Sequence, residues 1–223
     1  LPETIGAIAY INKNFKKLKE KVEGGYILTC IGDNRSYSYL ETKYGNSPSD
    51  IAAKKALEEL KINYTKYSFL ERGSDERQYN SPIINLNIGS IMRTKYGKFK
   101  EYHSSLDNFK LVSSKGLRGG YNVVKKAILN LMNLKIKSKK IKIIKNYVKS
   151  KIICEPQLGK RNLYPSIGVK DKNFHKSNHK QLLDFLQYCD GTNSITQISK
   201  KISLSLKKSN KILQILKRYK LVY

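Results

Sequence analysis

The feature that most constrains this chain is an alternation, over its first 120 residues, between helically spaced segments and short apolar runs. Ile5 to Val22 carries apolar Ile8, Ile11, Phe15 and Leu18 at intervals of three and four, which marks one face of a helix. Glu23-Gly24-Gly25 stops it. Tyr26 to Ile31 is nearly continuous in apolar residues, the pattern of a strand covered on both faces. A polar loop with Gly45, Asn46 and Pro48 follows. Ser47 or Ser49 can cap a helix over Asp50–Leu60, with Ile51, Ala53, Leu57 and Leu60 on its apolar side. Tyr64 to Phe69 and Leu86 to Met92 read as further strands. Residues 116–134 read as a helix with Val124, Ile128, Leu131 and Met132 facing inward. Strands separated by helices predict an α/β sheet with crossover connections. In such sheets ligands gather beyond the carboxyl ends of the strands. Asp33 and the cluster Glu71 to Arg77 fall at such places.

The end of the chain is different in kind. Leu182, Leu183, Phe185 and Leu186 define one helix, closed by Asp190-Gly191. A second runs from about Ser194 to Ile202, and a third from about Leu206 to Tyr219 with Ile212, Leu213, Ile215 and Leu216 inside. Three short helices with tight turns resemble a helix-turn-helix or winged-helix unit. Between the two regions lies a Lys-rich connector, Lys135 to Lys151, readable as a solvated amphipathic helix or as a linker, and then an irregular stretch punctuated by Pro156, Gly159, Pro165 and Gly168. The expected organisation is one domain over 1–150, and a connector with a winged helix over 151–223.

Charge rises along the chain. Residues 1–120 hold 20 basic and 13 acidic side chains, whereas 121–154 hold ten Lys and no acid. Such a tail attracts polyanions, so nucleic acid or an anionic membrane is a first candidate partner. Yet 37 of the 44 basic residues are Lys, and phosphate and base readers lean harder on Arg. No uncharged apolar run is long enough for a transmembrane helix. Cys30, Cys154 and Cys189 are scattered and odd in number, which fits a reducing, cytoplasmic setting without a disulfide framework or zinc finger.

His175 and His179 have the i,i+4 spacing of an HExxH zinc helix, but Lys176 stands where that motif needs Glu, so the pair is not taken as a site. His103 lies between a strand and the next helix. Glu3, Asp33 and Asp75, like His103, are placed by the pattern at strand–loop junctions. Carboxylates with an imidazole are what a catalytic zinc ion takes as ligands, with a further carboxylate free to accept a proton from bound water.

Four motifs, in order and spanning nearly the whole chain, resemble a family of aminopeptidase-like zinc hydrolases. They are Leu1-Pro2-Glu3-Thr4-Ile5-Gly6, Gly73-Ser74-Asp75-Glu76-Arg77-Gln78-Tyr79, Glu101-Tyr102-His103-Ser104-Ser105-Leu106-Asp107 and Glu155-Pro156-Gln157-Leu158-Gly159-Lys160-Arg161. Members are bacterial proteins that join a co-catalytic zinc exopeptidase domain to a C-terminal winged helix, and some carry a polysaccharide-biosynthesis label. The resemblance implies zinc as cofactor, with Glu3, Asp33 and His103 as metal ligands. It also implies Glu3 as the residue activating water, Asp75 supporting the metal shell by hydrogen bonding, and Arg77 holding a substrate carboxylate or oxyanion. Where the wider group has paired acids, this chain has Glu3 followed by Thr4, and Cys30 rivals Asp33 in alignment. The group's first His and bridging Asp lie upstream of the paired acids, so the chain reads as the C-terminal part of a longer protein, underligated and inactive as a fragment.

The expected function is therefore hydrolysis of a peptide-like or amide substrate by the parent protein, the winged helix serving as an accessory or oligomerising module. Two other readings compete. One is a nucleic-acid-binding regulator acting through the terminal helices and the connector. The other is a scaffold that has lost its metal, for which Thr4 and Cys30 would both fit.

Overall fold

A computed structural model describes residues 2–134, 144, 147–163 and 178–223. The chain divides into two compact units, one formed by Leu1–Asn80 and Asn85–Ser138, the other by Ser81–Ile84 and Lys139–Tyr223.

The first unit is built on a four-stranded sheet. Helix α1 (Ile5–Lys21) leads into β1 (Gly25–Leu28), then come β2 (Ser38–Leu40), α2 (Pro48–Glu59) and β3 (Thr65–Tyr67). A 3-10 turn at Phe69–Glu71 and a one-turn helix α3 (Glu76–Tyr79) precede β4 (Ile88–Met92), and α4 (Ser114–Met132) closes the unit. The strand order is β1-β4-β2-β3. β1 and β4 are parallel, as are β2 and β3, while β2 meets β4 antiparallel. The α/β class holds, and the sheet is mixed.

Period-two alternation sends neighbouring residues to opposite faces. Tyr39 and Ile91 face helices α2 and α4, packing with Ala53, Ala56, Leu57, Val123, Val124 and Ala127. Leu40 and Met92 face the other way, against Phe69 and Tyr96. Helix α2 is bounded as its sequence dictates. Ser47 and Asp50 form a reciprocal capping box with Pro48 in the first turn. Beyond its end, Lys61 takes φ 53° and the Ile62 N–H returns to the Leu57 carbonyl, a Schellman closure.

Three expectations need correction. The run Tyr26–Ile31 does not form a strand covered on both faces: β1 stops at Leu28, is an edge strand, and leaves Leu28 51 % exposed. The fully buried strands are β2 and β4. The inward side of α4 is set by small residues, Gly116 and Gly120 with Val123, Val124 and Ala127, while Ile128 and Met132 are exposed. On α2 it is Ala52, Ala53, Ala56 and Leu57 that are buried, with Ile51 and Leu60 outside. In both helices, glycine or alanine allows the backbone to come closer to the sheet than a larger apolar side chain would.

The second unit contains α5 (Asn178–Gln187), α6 (Ile195–Lys201) and α7 (Leu206–Arg218). Its core includes Leu182, Phe185, Leu186, Ile198, Ile212, Leu213 and Leu216. Ser194 with Gln197 makes a capping box for α6, and Ser205 caps α7. Antiparallel bridges pair Lys149 with Asp190 and Ser150 with Val222. In the Glu155–Arg161 motif, Gln157 accepts the Lys160 N–H at 2.7 Å and Glu155 accepts the Gln187 side-chain amide at 2.9 Å. Most of the Lys-rich connector, with Pro165, Gly168 and His175, lies outside the described residues. No helix among the described residues is long and apolar enough to cross a membrane.

Candidate active site

Two parallel strands, β1 and β4, point their carboxyl ends the same way. The segments that follow them line one cleft of about 300 Å³. The segment after β1 contributes Cys30 and Asp33, and the longer one after β4 contributes Tyr102, His103 and Asp107. Glu3, immediately before α1, completes the lining. The structure thus brings Glu3, Asp33 and His103 to a single cavity, and places Asp75 and Arg77 behind one of them.

That placement works through Thr4. Thr4 has φ 63° and ψ −65°, and the Ile5 N–H reaches the Glu3 carbonyl at 2.7 Å, a γ-turn. Such a turn is strained for a residue with a Cβ, so its surroundings must hold it. Asp75 accepts the Thr4 N–H at 2.7 Å, and the Arg77 guanidinium donates to Thr4 Oγ1 at 2.8 Å. Arg77 Nε also donates to the Ser74 carbonyl at 3.1 Å. Both side chains therefore position the turn that presents Glu3. Two residues of the cleft lining, Cys30 and His103, also take positive φ, at 49° and 57°.

The Asp33 carboxylate is nearly buried and organises the loops. Its Oδ1 accepts the Arg35 N–H at 2.9 Å and the Thr94 hydroxyl at 2.7 Å, and Oδ2 accepts the Thr94 N–H at 2.9 Å. It thereby ties the turn after β1 to the end of β4. A second tie is the bidentate pair of Arg35 with Glu101, at 3.0 and 2.8 Å. Those hydrogen bonds hold the Glu101 carboxyl at about 2. His103 is exposed and stacks on Tyr102 with ring centroids 3.9 Å apart. Burial pushes the Cys30 thiol up, and the carboxylates of Asp107, Asp33 and Glu3 act in the same direction. Burial also raises the Tyr102 phenol.

Sequence reasoning passed over Glu76. It is fully buried, accepts the Gly73 and Ser74 N–H groups at 2.8 and 3.0 Å and the Tyr96 hydroxyl at 3.1 Å through Oε1, and takes the Ser90 hydroxyl at 3.1 Å through Oε2. It shapes the loop that carries Asp75. The only local signal was its place at the start of a helical turn. Asn80 acts similarly, exchanging two hydrogen bonds with the Ile88 backbone at 2.9 and 2.6 Å.

The donors present do not by themselves fit a zinc ion. Both Asp33 oxygens already accept hydrogen bonds that tie the loops, and the other ligand types in the cleft, Glu3, Cys30, His103 and Asp107, are not gathered into a four-ligand shell. Among the described residues no group of three or more His, Cys, Asp or Glu side chains is disposed to hold a metal ion.

Comparison with known proteins agrees with this architecture. Residues 1–134 match the family described as a domain of unknown function (DUF4910), and residues 145–223 match a winged helix-turn-helix family. A protein of Clostridium acetobutylicum, described as a candidate polysaccharide biosynthesis protein with aminopeptidase-like domain, is 35 % identical over 208 residues, covering 93 % of this chain and 44 % of its own length. A crystal structure from the same organism, described as that of a candidate peptidase, superposes with a TM-score of 0.57 at 31 % identity, over 100 % of this chain and 46 % of its own. The chain thus spans less than half the length of each. With its α/β unit matched as a whole and a winged helix behind it, the chain belongs to the DUF4910 family.

Proposed function

We propose that this chain is the C-terminal portion of an aminopeptidase-like hydrolase of peptide or amide bonds, zinc-dependent as a whole protein and inactive as the part described. The observation that carries this reading is the cleft beyond the parallel ends of β1 and β4, where Glu3 and His103 are both exposed to solvent. Ligand sites of open α/β sheets lie in that position. The relative's aminopeptidase-like description and the structural neighbour's description as a peptidase support the same class.

Within this reading Glu3 would accept a proton from the attacking water, and His103 would be this chain's donor to the metal. Asp33 holds the two loops in register, and Asp75 and Arg77 fix the Thr4 turn that aims Glu3. The remaining zinc donors belong to the part of the longer protein that this chain does not span. Zinc would supply polarisation of the scissile carbonyl and of the bound water.

Calorimetry tests the division of ligands. With so few donors, zinc is expected to bind this chain more weakly than about 1 μM. A tight, stoichiometric complex would contradict that division. The same chain should release no chromophore from an aminoacyl anilide. Hydrolysis that disappears in Glu3→Gln would support the role of Glu3 and refute the inactivity of the isolated portion.

A further inference from the structure

We propose that a second pocket, beside the cleft, binds a phosphate group. The segment after β4 contributes to both cavities, and their linings differ in charge. The cleft is lined by three carboxylates, Glu3, Asp33 and Asp107, and by no Lys or Arg among the described residues. The second cavity, of about 230 Å³, is lined by Arg35, Lys100 and Lys110, with Glu101 as its single carboxylate among the described residues. Leu111 belongs to both linings. Abundance of Lys in the chain does not account for such a division between neighbouring cavities.

The pocket's cations are not neutralised from within. Arg35 directs two N–H groups at Glu101, at 3.0 and 2.8 Å, which engages the one acid and leaves the other guanidinium donors unused. Lys100 and Lys110 are exposed and make no salt bridge among the described residues. The Glu101 carboxyl is held low first by its hydrogen bonds to Arg35, and the charge of Lys100 adds to the effect, which puts that ammonium within reach of the pocket. Asn108 Oδ1 accepts the Lys110 N–H at 3.0 Å, and the Leu111 N–H returns to the Asn108 carbonyl at 2.9 Å, so the backbone carrying Lys110 is fixed. Three cations less one ionised carboxylate leave a surplus of two charges, the match for a phosphate dianion rather than a carboxylate. A guanidinium fork and ammonium point charges are the donors that phosphate oxygens take. Leu106 and Leu111 add an apolar wall, which lowers the local dielectric and offers a surface to the organic part of a phosphate ester. On the hydrolase reading, the shared Leu111 puts this phosphate beside the bond that enters the cleft, and the substrate class becomes a phosphorylated amide or peptide. That last step rests on the reading, whereas phosphate binding does not.

The test follows the amide resonances of the whole isotope-labelled chain as phenyl phosphate, inorganic phosphate or phenylacetate is added, at about pH 7.5, where phosphate is dianionic. Phenyl phosphate should shift Arg35 and residues 100–111 with a Kd of about 1 mM, and phenylacetate should bind at least about fivefold more weakly. Inorganic phosphate separates the two sources of the group. Binding weaker than the ester's identifies an organic phosphate as the ligand, equal binding identifies the free ion, and either upholds the site. Lys100→Gln with Lys110→Gln changes only exposed positions and should weaken phenyl phosphate at least about tenfold. Lys16→Gln with Lys17→Gln, exposed on α1, removes the same charge and should weaken it less than about twofold. Equal weakening by the two double variants would reduce the effect to the chain's general charge and overturn the proposal. So would phenylacetate bound as tightly as phenyl phosphate, or no shift at about 10 mM phenyl phosphate. None of these readouts involves zinc or bond cleavage, so they can fail while the hydrolase reading stands, and hydrolysis can fail while they hold.

Discussion

At the scale of single residues, acids that look equivalent in the sequence do different work. Asp75 stabilises a strained turn, so Asp75→Ala should cost about 2 kcal/mol in urea unfolding and speed exchange of the Thr4 amide proton. A loss below about 0.5 kcal/mol would mean that the γ-turn holds without its acceptor. Glu101 gives a pH signature. Arg35 lowers its folded pKa to about 2, below the ordinary carboxylate value of 4.5, so its contribution is complete above that ordinary value and is lost as pH falls towards 2. Glu101→Gln should therefore remove part of the acid-side slope of stability while leaving the neutral side's slope unchanged. A wild-type slope retained in full would place the acid titration elsewhere. None of these separate roles was legible in the one-dimensional pattern. Asp33 meets Thr94 across 61 positions and Asp75 meets Thr4 across 71, and spacing carries no information about hydrogen bonds of that range.

At the scale of elements, boundaries were legible where the signal is local. Ser47 with Pro48, Ser113, Ser194 and Ser205 all precede helices that they cap. Strand β2 was missed because three residues, Ser38-Tyr39-Leu40, set in a polar loop have no period to display, and only their pairing with distant residues, Thr65 to Tyr67 on one side and Ser90 to Met92 on the other, defines them. The inward face of α4 was misread because the helix has two apolar arcs, and only packing chooses between them. Glycine marks the chosen one. A methyl group at Gly116 would lie inside contact distance of the Gly32 carbonyl oxygen and 2.6 Å from that of Asp33, both backbone atoms of the cleft. Gly116→Ala should gain about 1 kcal/mol of helix propensity and still lose about 2 kcal/mol overall. Thermal unfolding would show it, and a stabilised variant would mean that α4 does not press on the loop after β1.

At the scale of the whole molecule, the two units answer to different evidence. The family resemblance was legible from four short motifs and agrees with the matched families, but sheet order and the cleft lining emerge only from pairing between distant segments. The cleft is the feature on which the hydrolase reading rests, and Cys30 inside it offers a native attachment point. In a Cys154→Ser background, with Cys189 buried, a nitroxide placed on Cys30 would report its neighbours by broadening their amide resonances in NMR. The expected result is selective loss of signal at Glu3, Thr4 and residues 102–107, reversed by reducing the label. Sharp resonances at Glu3 and His103 alongside a broadened Gly32 would show that the three segments do not share a cavity, and would contradict the proposed site.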